Sequence, residues 1–378
     1  MRSEPRIPPE KLAAIRAPFL AVGAQIVDTP ILQPLGLLLE LAGEALRSRL
    51  FVVQSEGGEE ACLRPDFTVP VARMHLDQAT SSGLYLYEGV VFRAAPPLTQ
   101  NPEEFPQIGL ERFDRGEVSP EADVDVVSLA WHAASGGGRS DLSIWLGDVG
   151  LFSAFISGLD LAPGLAARLT RAASRPRLLQ AELARAGQEE LPISGGGLTD
   201  VLATRSPEEA GRMLEDIWAL AGIDPVGGRG PAEISQRLIR KAQAAAAPSL
   251  SLGQAEAIKA FLAIDATPRA ALEHLSALAG SNAVKLRAEI GVWETRLERM
   301  AAAGLPMDRA RFVTALGHTF DYYDGLTFEV RSAELGPDFP IAVGGRYDGL
   351  LSRLGGPRDG RAVGCMVRPG RAVLRATS

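Results

Sequence analysis

Two stretches near the end of the sequence indicate the fold: residues 320–330 read FDYYDGLTFEV, and residues 343–349 read VGGRYDG. In the first, Asp324-Gly325 is typical of a tight turn between two strands. The tyrosines before that turn also have an ordinary explanation as packing residues. In the second, paired glycines let the backbone approach a ligand closely. Neither stretch has the spacing of a Walker or dinucleotide-binding loop.

A polar strand face is predicted at residues 105–113, FPQIGLERF. Side chains alternate along a strand, so Gln107, Gly109 and Glu111 share one face, and Gly109 is expected to leave space for a ligand. The two polar side chains stand about 13 Å apart at roughly 3.3 Å per residue, enough to bracket an amino acid. A solvent-facing strand surface explains the same pattern and is the commoner case for an isolated motif.

Two further motifs carry polar groups. In residues 84–96, LYLYEGVVFRAAP, Arg93 shares a strand face with two tyrosines and is a candidate anion-binding residue; an edge arginine packed over aromatic rings is the alternative. In residues 63–68, LRPDFT, Asp66 or Thr68 is placed to cap a following helix through Arg73. Capping explains this second motif better when it is taken alone.

Length, net charge and cysteine spacing limit the classes of protein to which the chain can belong. The chain has 378 residues, which favours two domains or one large core with an insertion. Its net charge of −7 lacks the excess of basic residues typical of dedicated nucleic-acid binders. Cys62 and Cys365 have neither metal-ligand nor disulfide-framework spacing, which fits a reducing cytoplasm. No membrane span or signal peptide is predicted.

The chain pattern predicts a split α+β fold, a core of strands and helices interrupted by a helical insertion. Strand and helix patterns alternate in the first part of the core, residues 1–162, and strands return in the second, residues 305–378. Between them, residues 163–304 are rich in Ala, Leu, Arg and Glu at helical spacing, with a loop at 194–197. Strands are predicted at 50–54, 60–64, 83–94, 105–113, 142–146, 311–316, 326–331 and 339–343. Helices are predicted from Pro9, at 35–47, at 122–134, from about 148, and within 344–354.

The order of these motifs is more specific than any one of them. The series VDTPILQP, LRPDFT, VVFRAAP, EFPQIGLERF, FDYYDGLTFEV, GGRYDGLLSRLGG and AVGCM resembles the catalytic core of histidyl-tRNA synthetases, which have the class II aminoacyl-tRNA synthetase fold. The resemblance implies an antiparallel sheet flanked by helices. The resemblance covers residues 27–148 and 311–374. The FDYYDG and GGRYDGL pair is characteristic of the histidine-specific branch.

The resemblance implies a histidine site with a role for each matching residue. Asp66, Thr68 and Gln107 would receive the α-ammonium group, and Asp66 would do so with a shorter reach than the glutamate usual in the family. Glu111 and Tyr323 would face the imidazole, and Tyr347 would close the pocket. The chemistry is consistent, because an ammonium needs acceptors and a carboxylate with a hydroxyl can recognise imidazole N–H groups.

Departures from the synthetase pattern predict the loss of adenylation. His318 stands where synthetases carry an arginine for the substrate carboxylate and the ATP α-phosphate, and Ala95 replaces an acid that helps to hold ATP. Three other positions also differ, namely Pro96, Asn101 and Gly370. Arg93 and Arg371 remain as candidate anion-binding residues. Losing one donor to developing charge typically costs about 3–4 kcal/mol, and several are missing.

This combination resembles the regulatory subunits of ATP phosphoribosyltransferase, synthetase-like proteins of histidine biosynthesis. It implies a non-catalytic, cytoplasmic, L-histidine-binding chain without metal or cofactor, tRNA partner, membrane association or anticodon-binding domain. The implied partner is a short-form catalytic subunit, which the chain would activate and place under histidine control, with self-association as a dimer inside a hetero-oligomer. The alternatives are a degenerate or truncated synthetase, a paralogue that activates another amino acid, and a dimeric scaffold with a vestigial pocket.

Overall fold

The structure is a computed structural model that describes residues 2–54, 57–58, 60–96, 99, 101–173, 176–187, 209, 212–213, 216–217, 220, 249–280, 282–316 and 322–374. Two compact units are formed by Met1–Ala154 with Phe261–Ala279 and Val284–Ser378, and by Phe155–Ala260 with Gly280–Ala283. The predicted loop at 194–197 and His318 lie outside the described residues, as does much of the predicted insertion, so the boundaries 1–162, 163–304 and 305–378 stay a prediction.

The first unit is built on a nine-stranded sheet in the order β1-β5-β6-β12-β11-β10-β7-β9-β8. Every neighbouring pair from β5 to β7 in that order is antiparallel, whereas β1 with β5 and β7 with β9 are parallel. The predicted antiparallel sheet is therefore confirmed. Its strands are β1 Gln25–Val27, β5 Gly83–Phe92, β6 Glu104–Arg115, β7 Leu142–Asp148, β8 Asp265–Ala266, β9 Ala310–Val313, β10 Leu326–Ser332, β11 Ala342–Arg346 and β12 Gly360–Val367.

A second, smaller sheet has the order β2-β4-β3, with β2 at Leu32–Pro34, β3 at Val52–Gln54 and β4 at Glu60–Leu63. Cys62 on its inner face is fully buried, whereas Leu32 on its outer face is 53% exposed. This sheet therefore presents apolar side chains to solvent.

Helices flank the main sheet, and several begin at prolines that suit the first helical turn. The described helices are α1 Pro9–Ala21, α2 Leu35–Ala42, α3 Thr68–Asp77, α4 Pro120–Ser135, α5 Val149–Ser157, α6 Pro163–Ala172, α7 Pro176–Ala184, α8 Leu252–Leu262, α9 Pro268–Leu278, α10 Val284–Ala302, α11 Asp348–Arg353 and α12 Pro369–Ala372. None of these is both long and apolar enough to cross a lipid bilayer.

Local sequence explains most element boundaries. In α1, Ile15 and Phe19 are fully buried at helical spacing. The helix predicted at 35–47 is interrupted at Gly43, whose φ of 89° ends α2 and starts a 3₁₀ helix at Glu44–Arg49. Glycine adopts this left-handed backbone without steric cost, so the break occurs there. Asp324-Gly325 precedes β10 but is not a hairpin turn, because β9 pairs with β7 instead of β10.

One central strand was missed by sequence reasoning. β12, GRAVGCMV, lies between β6 and β11, but its glycines weaken the usual strand pattern. Gly364 pairs with Glu111, and a Cβ at Gly364 would overlap the Glu111 carboxylate. The glycine therefore makes room for a buried acid on the neighbouring strand.

Candidate functional site

A cavity of about 430 Å³ opens over β5, β6, β10, β11 and β12, next to the start of α3. All eight residues predicted from the sequence to bind histidine or an anion line it, although they come from widely separated parts of the chain. They are Asp66, Thr68, Arg93, Gln107, Glu111, Tyr323, Tyr347 and Arg371. The cavity has one end lined by acids and tyrosines and another lined by arginines.

Glu111 is the central acid of the first end. Its side chain is 1% exposed, so the solvent-facing alternative for this strand face is excluded. The Thr68 hydroxyl donates to Glu111 Oε1 at 2.8 Å, and the Tyr347 hydroxyl donates to Oε2. Burial raises the pKa of Glu111 to about 8, against the opposing effect of these two hydroxyls. The site therefore holds a buried carboxyl group whose ionised form would be stabilised by a cationic or N–H-donating ligand.

Asp66 and Gln107 offer further acceptors. Asp66 is 5% exposed, its Oδ2 accepts from the Tyr322 hydroxyl at 3.2 Å, and its Oδ1 has no hydrogen-bond partner. Burial raises the pKa of Asp66, and the charge of Arg93 opposes that rise. Gln107 is fully buried and its Oε1 is also unpaired, while its Nε2 contacts Met366 Sδ at 3.6 Å. Unpaired buried acceptors are uncommon and here indicate a site for an N–H donor.

The space expected beside Gly109 is already filled. Tyr87 lies opposite Gly109 on β5, and a Cβ at position 109 would overlap the Tyr87 hydroxyl. That hydroxyl donates to the backbone oxygen of Cys365 at 3.3 Å. The expectation that Gly109 leaves room for a ligand is therefore wrong, since the glycine accommodates a neighbouring phenol in the cavity wall.

Tyrosines form the wall opposite Glu111. The ring centroid of Tyr322 lies 4.9 Å from that of Tyr323 and 5.7 Å from that of Tyr347. Burial raises the pKa of Tyr323, and the charge of Glu111 acts in the same direction. These phenols therefore stay neutral and supply hydroxyl donors and acceptors rather than charge.

The helix-cap alternative is wrong for Thr68, whereas the backbone N–H groups of Thr68 and Val69 at the start of α3 face the Asp66 carboxylate and oppose the rise in its pKa. α3 begins at Thr68, its N-cap residue is Phe67, and no side chain makes the capping bond from that position. The Thr68 hydroxyl is directed to Glu111 instead. Phe67 stacks on Tyr87 with ring centroids 4.4 Å apart, which fixes the first turn of α3 against β5.

Arginines line the other end of the cavity. Arg93 Nε donates to the Pro65 carbonyl oxygen at 2.8 Å, and the Arg93 guanidinium lies 5.5 Å from the Phe105 ring centroid. Arg368 lies over the same ring at 3.4 Å. Burial and neighbouring arginines lower the pKa of Arg368 to about 9 and that of Arg371 to about 10. Arg93 thus combines both interpretations, packing over an aromatic ring and lining the cavity beside Arg368 and Arg371.

Several lining residues were missed by sequence reasoning: Arg49, Tyr87, Tyr322, Glu329, Arg331 and Arg368. Strand alternation points to Tyr87, which shares a face with Arg93, and to the pair Glu329 and Arg331 on β10. Nothing in the local pattern indicates Arg49 or Arg368, because only the fold brings them to the cavity. Ala95, Pro96 and Asn101, which depart from the synthetase pattern, also line it.

A buried chain of charges holds the turn that carries Tyr347. Arg346 Nε donates to Asp123 Oδ1 at 2.9 Å, and Arg296 Nε donates to Asp123 Oδ2 at 2.8 Å. Arg296 Nη1 continues to Asp148 Oδ2 at 3.2 Å, while Arg346 Nη1 donates to Asp348 Oδ1 at 2.8 Å. This charge ladder links α10, β7, α4 and the start of α11. Because Tyr347 lies between Arg346 and Asp348, the ladder fixes its backbone.

Comparison with known proteins identifies the family of the chain. The family model for histidyl-tRNA synthetase matches residues 10–203 and 230–370. An ATP phosphoribosyltransferase regulatory subunit from Brucella anthropi is 35% identical over 361 residues, covering 93% of this chain and 93% of its own. Its counterpart from Brucella canis is 35% identical over 349 residues, 90% of each chain.

Solved structures share the fold. A Bacillus halodurans protein described as an ATP phosphoribosyltransferase regulatory subunit/histidyl-tRNA synthetase superposes with a TM-score of 0.63 at 21% identity, covering 97% of this chain and 79% of that one. A histidyl-tRNA synthetase from Nostoc sp. PCC 7120 gives 0.61 at 18% identity, covering 97% and 72%. The predicted class II synthetase-like fold is confirmed.

Proposed function

The chain belongs to the histidyl-tRNA synthetase family and, within it, to the ATP phosphoribosyltransferase regulatory subunits, and from this premise we propose that it is an L-histidine sensor. In this proposal it activates a short-form ATP phosphoribosyltransferase catalytic subunit and places that enzyme under feedback control by histidine. The chain itself contributes no catalytic group. Its regulatory role in histidine biosynthesis follows from its relatives, whereas activation and feedback are our inference.

The arrangement of acceptors around the acidic end of the cavity carries the proposal. Free histidine presents an ammonium group and imidazole N–H groups, all of which need acceptors when buried. Asp66, Thr68 and Gln107 would receive the ammonium, and two of them hold unpaired buried oxygens. Glu111 and Tyr323 would receive the imidazole, with Tyr347 closing the pocket.

The electrostatics of the pocket also support a sensor. With a pKa of about 8, Glu111 is mostly protonated at neutral pH in the empty cavity. A bound imidazole that donates an N–H, or an imidazolium, stabilises the ionised carboxylate. Ligand binding therefore changes the charge of a buried group that is bonded to both Thr68 and Tyr347, so it is expected to alter the packing of α3 against the Tyr347 turn.

Regulation requires histidine to bind the active and inhibited states of the complex with different affinity. A typical coupling of about 1–3 kcal/mol gives roughly 5- to 150-fold changes in affinity, and the coupling is reciprocal. In our proposal the complex is cytoplasmic and involves neither tRNA nor a membrane. Self-association as a dimer is supported by the exposed apolar face of the small sheet, where Leu32 is 53% and Val53 is 38% exposed.

The test is an assay of the catalytic subunit alone, with this chain, and with this chain plus histidine. We expect weak activity alone, stimulation on complex formation and inhibition by histidine, together with histidine binding to the isolated chain by calorimetry. A catalytic subunit that is equally active and equally histidine-sensitive without this chain would contradict the proposal. A chain that stimulates without binding histidine would leave activation standing and reject the sensor role.

A further inference from the structure

We propose that the acidic groove between α9 and α10 is the docking surface for a basic amphipathic helix of the partner protein. The proposal rests on the proposed function, because it takes the catalytic subunit as the partner. The groove lies in the same compact unit as the histidine cavity but shares no lining residue with it. It encloses about 980 Å³.

Both walls of the groove are helical stripes. On α9, Arg269, Leu272, Glu273 and Ser276 line it, and on α10, Glu294, Leu297, Glu298 and Ala301 line it. Each set follows the spacing i, i+3, i+4, i+7, which places its members on one face of the helix. Two helical stripes that line one groove, each with a leucine among its residues, form the type of groove that accepts an amphipathic helix.

The charge of the groove specifies the chemistry of its occupant. Glu273, Glu294 and Glu298 are exposed, and none of them forms an ion pair within the part of the chain that the structure describes. Arg269 is the one basic residue among the lining residues. Unpaired acids beside half-buried Leu297 and buried Leu272 complement a segment that carries Lys or Arg beside apolar side chains.

The opposite face of α10 connects this groove to the Tyr347 turn. Arg296 is 3% exposed and reaches both Asp123 and Asp148, and the Trp293 Nε1 donates to Asp148 Oδ2 at 2.8 Å. Asp123 in turn holds Arg346, the residue before Tyr347. A partner helix seated on α10 therefore contacts an element that is joined by buried ion pairs to the histidine site. Such a contiguous network offers a route by which two sites can be coupled.

The test is the dissociation constant of the complex with the purified catalytic subunit, measured by biolayer interferometry for the full chain. We expect the triple charge reversal E273K/E294K/E298K to weaken binding at least tenfold in low salt, with a smaller effect in high salt. Its matched control is E40K/D77K/E117K, which reverses three exposed acids elsewhere and is expected to bind like the parent chain. Neutral E273Q/E294Q/E298Q, which is easier to accommodate in the fold, is expected to weaken binding at least threefold.

Calorimetry with histidine on each isolated variant separates this proposal from the proposed function. We expect histidine affinity within twofold of the parent, since the substitutions lie outside the pocket. If the parent chain activates the catalytic subunit but the groove variants bind that subunit as tightly as the parent does, the groove proposal is wrong and the proposed function stands. A parent chain that does not bind the catalytic subunit would overturn both proposals.

Discussion

Replacing Glu111 with glutamine is expected to stabilise the protein while weakening its affinity for histidine. Burial raises the pKa of Glu111 from 4.5 to about 8, so the folded state favours the protonated carboxyl. Stability from this group is present below pH 4.5 and is lost as pH rises toward 8. At pH 7 the loss is about 3 kcal/mol, at roughly 1.4 kcal/mol for each pH unit above the unfolded pKa.

Glutamine has about the same size as the protonated acid and cannot ionise, so the variant does not lose folding stability as the pH rises from 4.5 to 7. One correction opposes the gain: the neutral carboxyl donates one proton, whereas the glutamine amide donates two, so the hydroxyl of Thr68 or Tyr347 that faces the amide nitrogen must reorient. Reorienting one hydroxyl costs about 1 kcal/mol. The net expectation for Glu111→Gln is a free energy of unfolding about 2 kcal/mol higher at pH 7, with the gain disappearing near pH 5, where the loss in the parent falls to about 1 kcal/mol. Exposed Glu117→Gln serves as the control and should change the free energy of unfolding at pH 7 by less than about 0.5 kcal/mol.

The affinity for histidine should fall in Glu111→Gln even though the stability rises. Removing the charge that faces a buried cationic or N–H donor costs about 2–5 kcal/mol, which corresponds to roughly a 30-fold or larger rise in the dissociation constant. The assays are chemical denaturation at pH 5, 7 and 8.5 and calorimetric titration with histidine at pH 7. The reasoning is refuted if Glu111→Gln is less stable than the parent at pH 7, or if it binds histidine as tightly.

Three other outcomes are expected. Gly364→Ala should abolish histidine binding, since its methyl group would overlap the carboxylate beside it; Gly253→Ala, which has open space around it, should bind normally by calorimetry. Asp123→Ala leaves two buried arginines without their shared partner and should lower the free energy of unfolding by about 3–5 kcal/mol. Exposed Asp308→Ala should change it by less than about 0.5 kcal/mol in the same denaturation assay. Histidine-dependent ATP–pyrophosphate exchange should stay at background, also after Ala95→Glu, because the other departures remain; exchange near the rate of an active synthetase would show that adenylation is retained.

The sequence alone was sufficient for the fold family and for eight of the residues that line the cavity. Period-two alternation put Gln107 and Glu111 on one strand face, and the order of the motifs related this face to Asp66, Thr68 and the two tyrosine segments. All of these residues line one cavity. Strand faces can be predicted from sequence because they depend on short-range geometry, in which side chains alternate along each strand.

Long-range pairing decided the rest. Whether the Gln107 face was solvent-exposed or buried depended on the elements that cover β6, and the role of Gly109 depended on Tyr87 from the adjacent strand. The glycines of β12 weaken its strand pattern, so this central strand was not predicted. Its position next to β6 explains why Gly364 is a glycine, because a larger side chain would overlap Glu111.

The charge ladder joins Asp123 to Arg346 across 223 positions of sequence. Arg49 and Arg368 likewise line the same cavity although they lie near opposite ends of the sequence. Local pattern cannot specify these neighbours, because a side chain's partner across a sheet or between a helix and a strand is set by strand order. Strand order is in turn settled by the packing of the whole core.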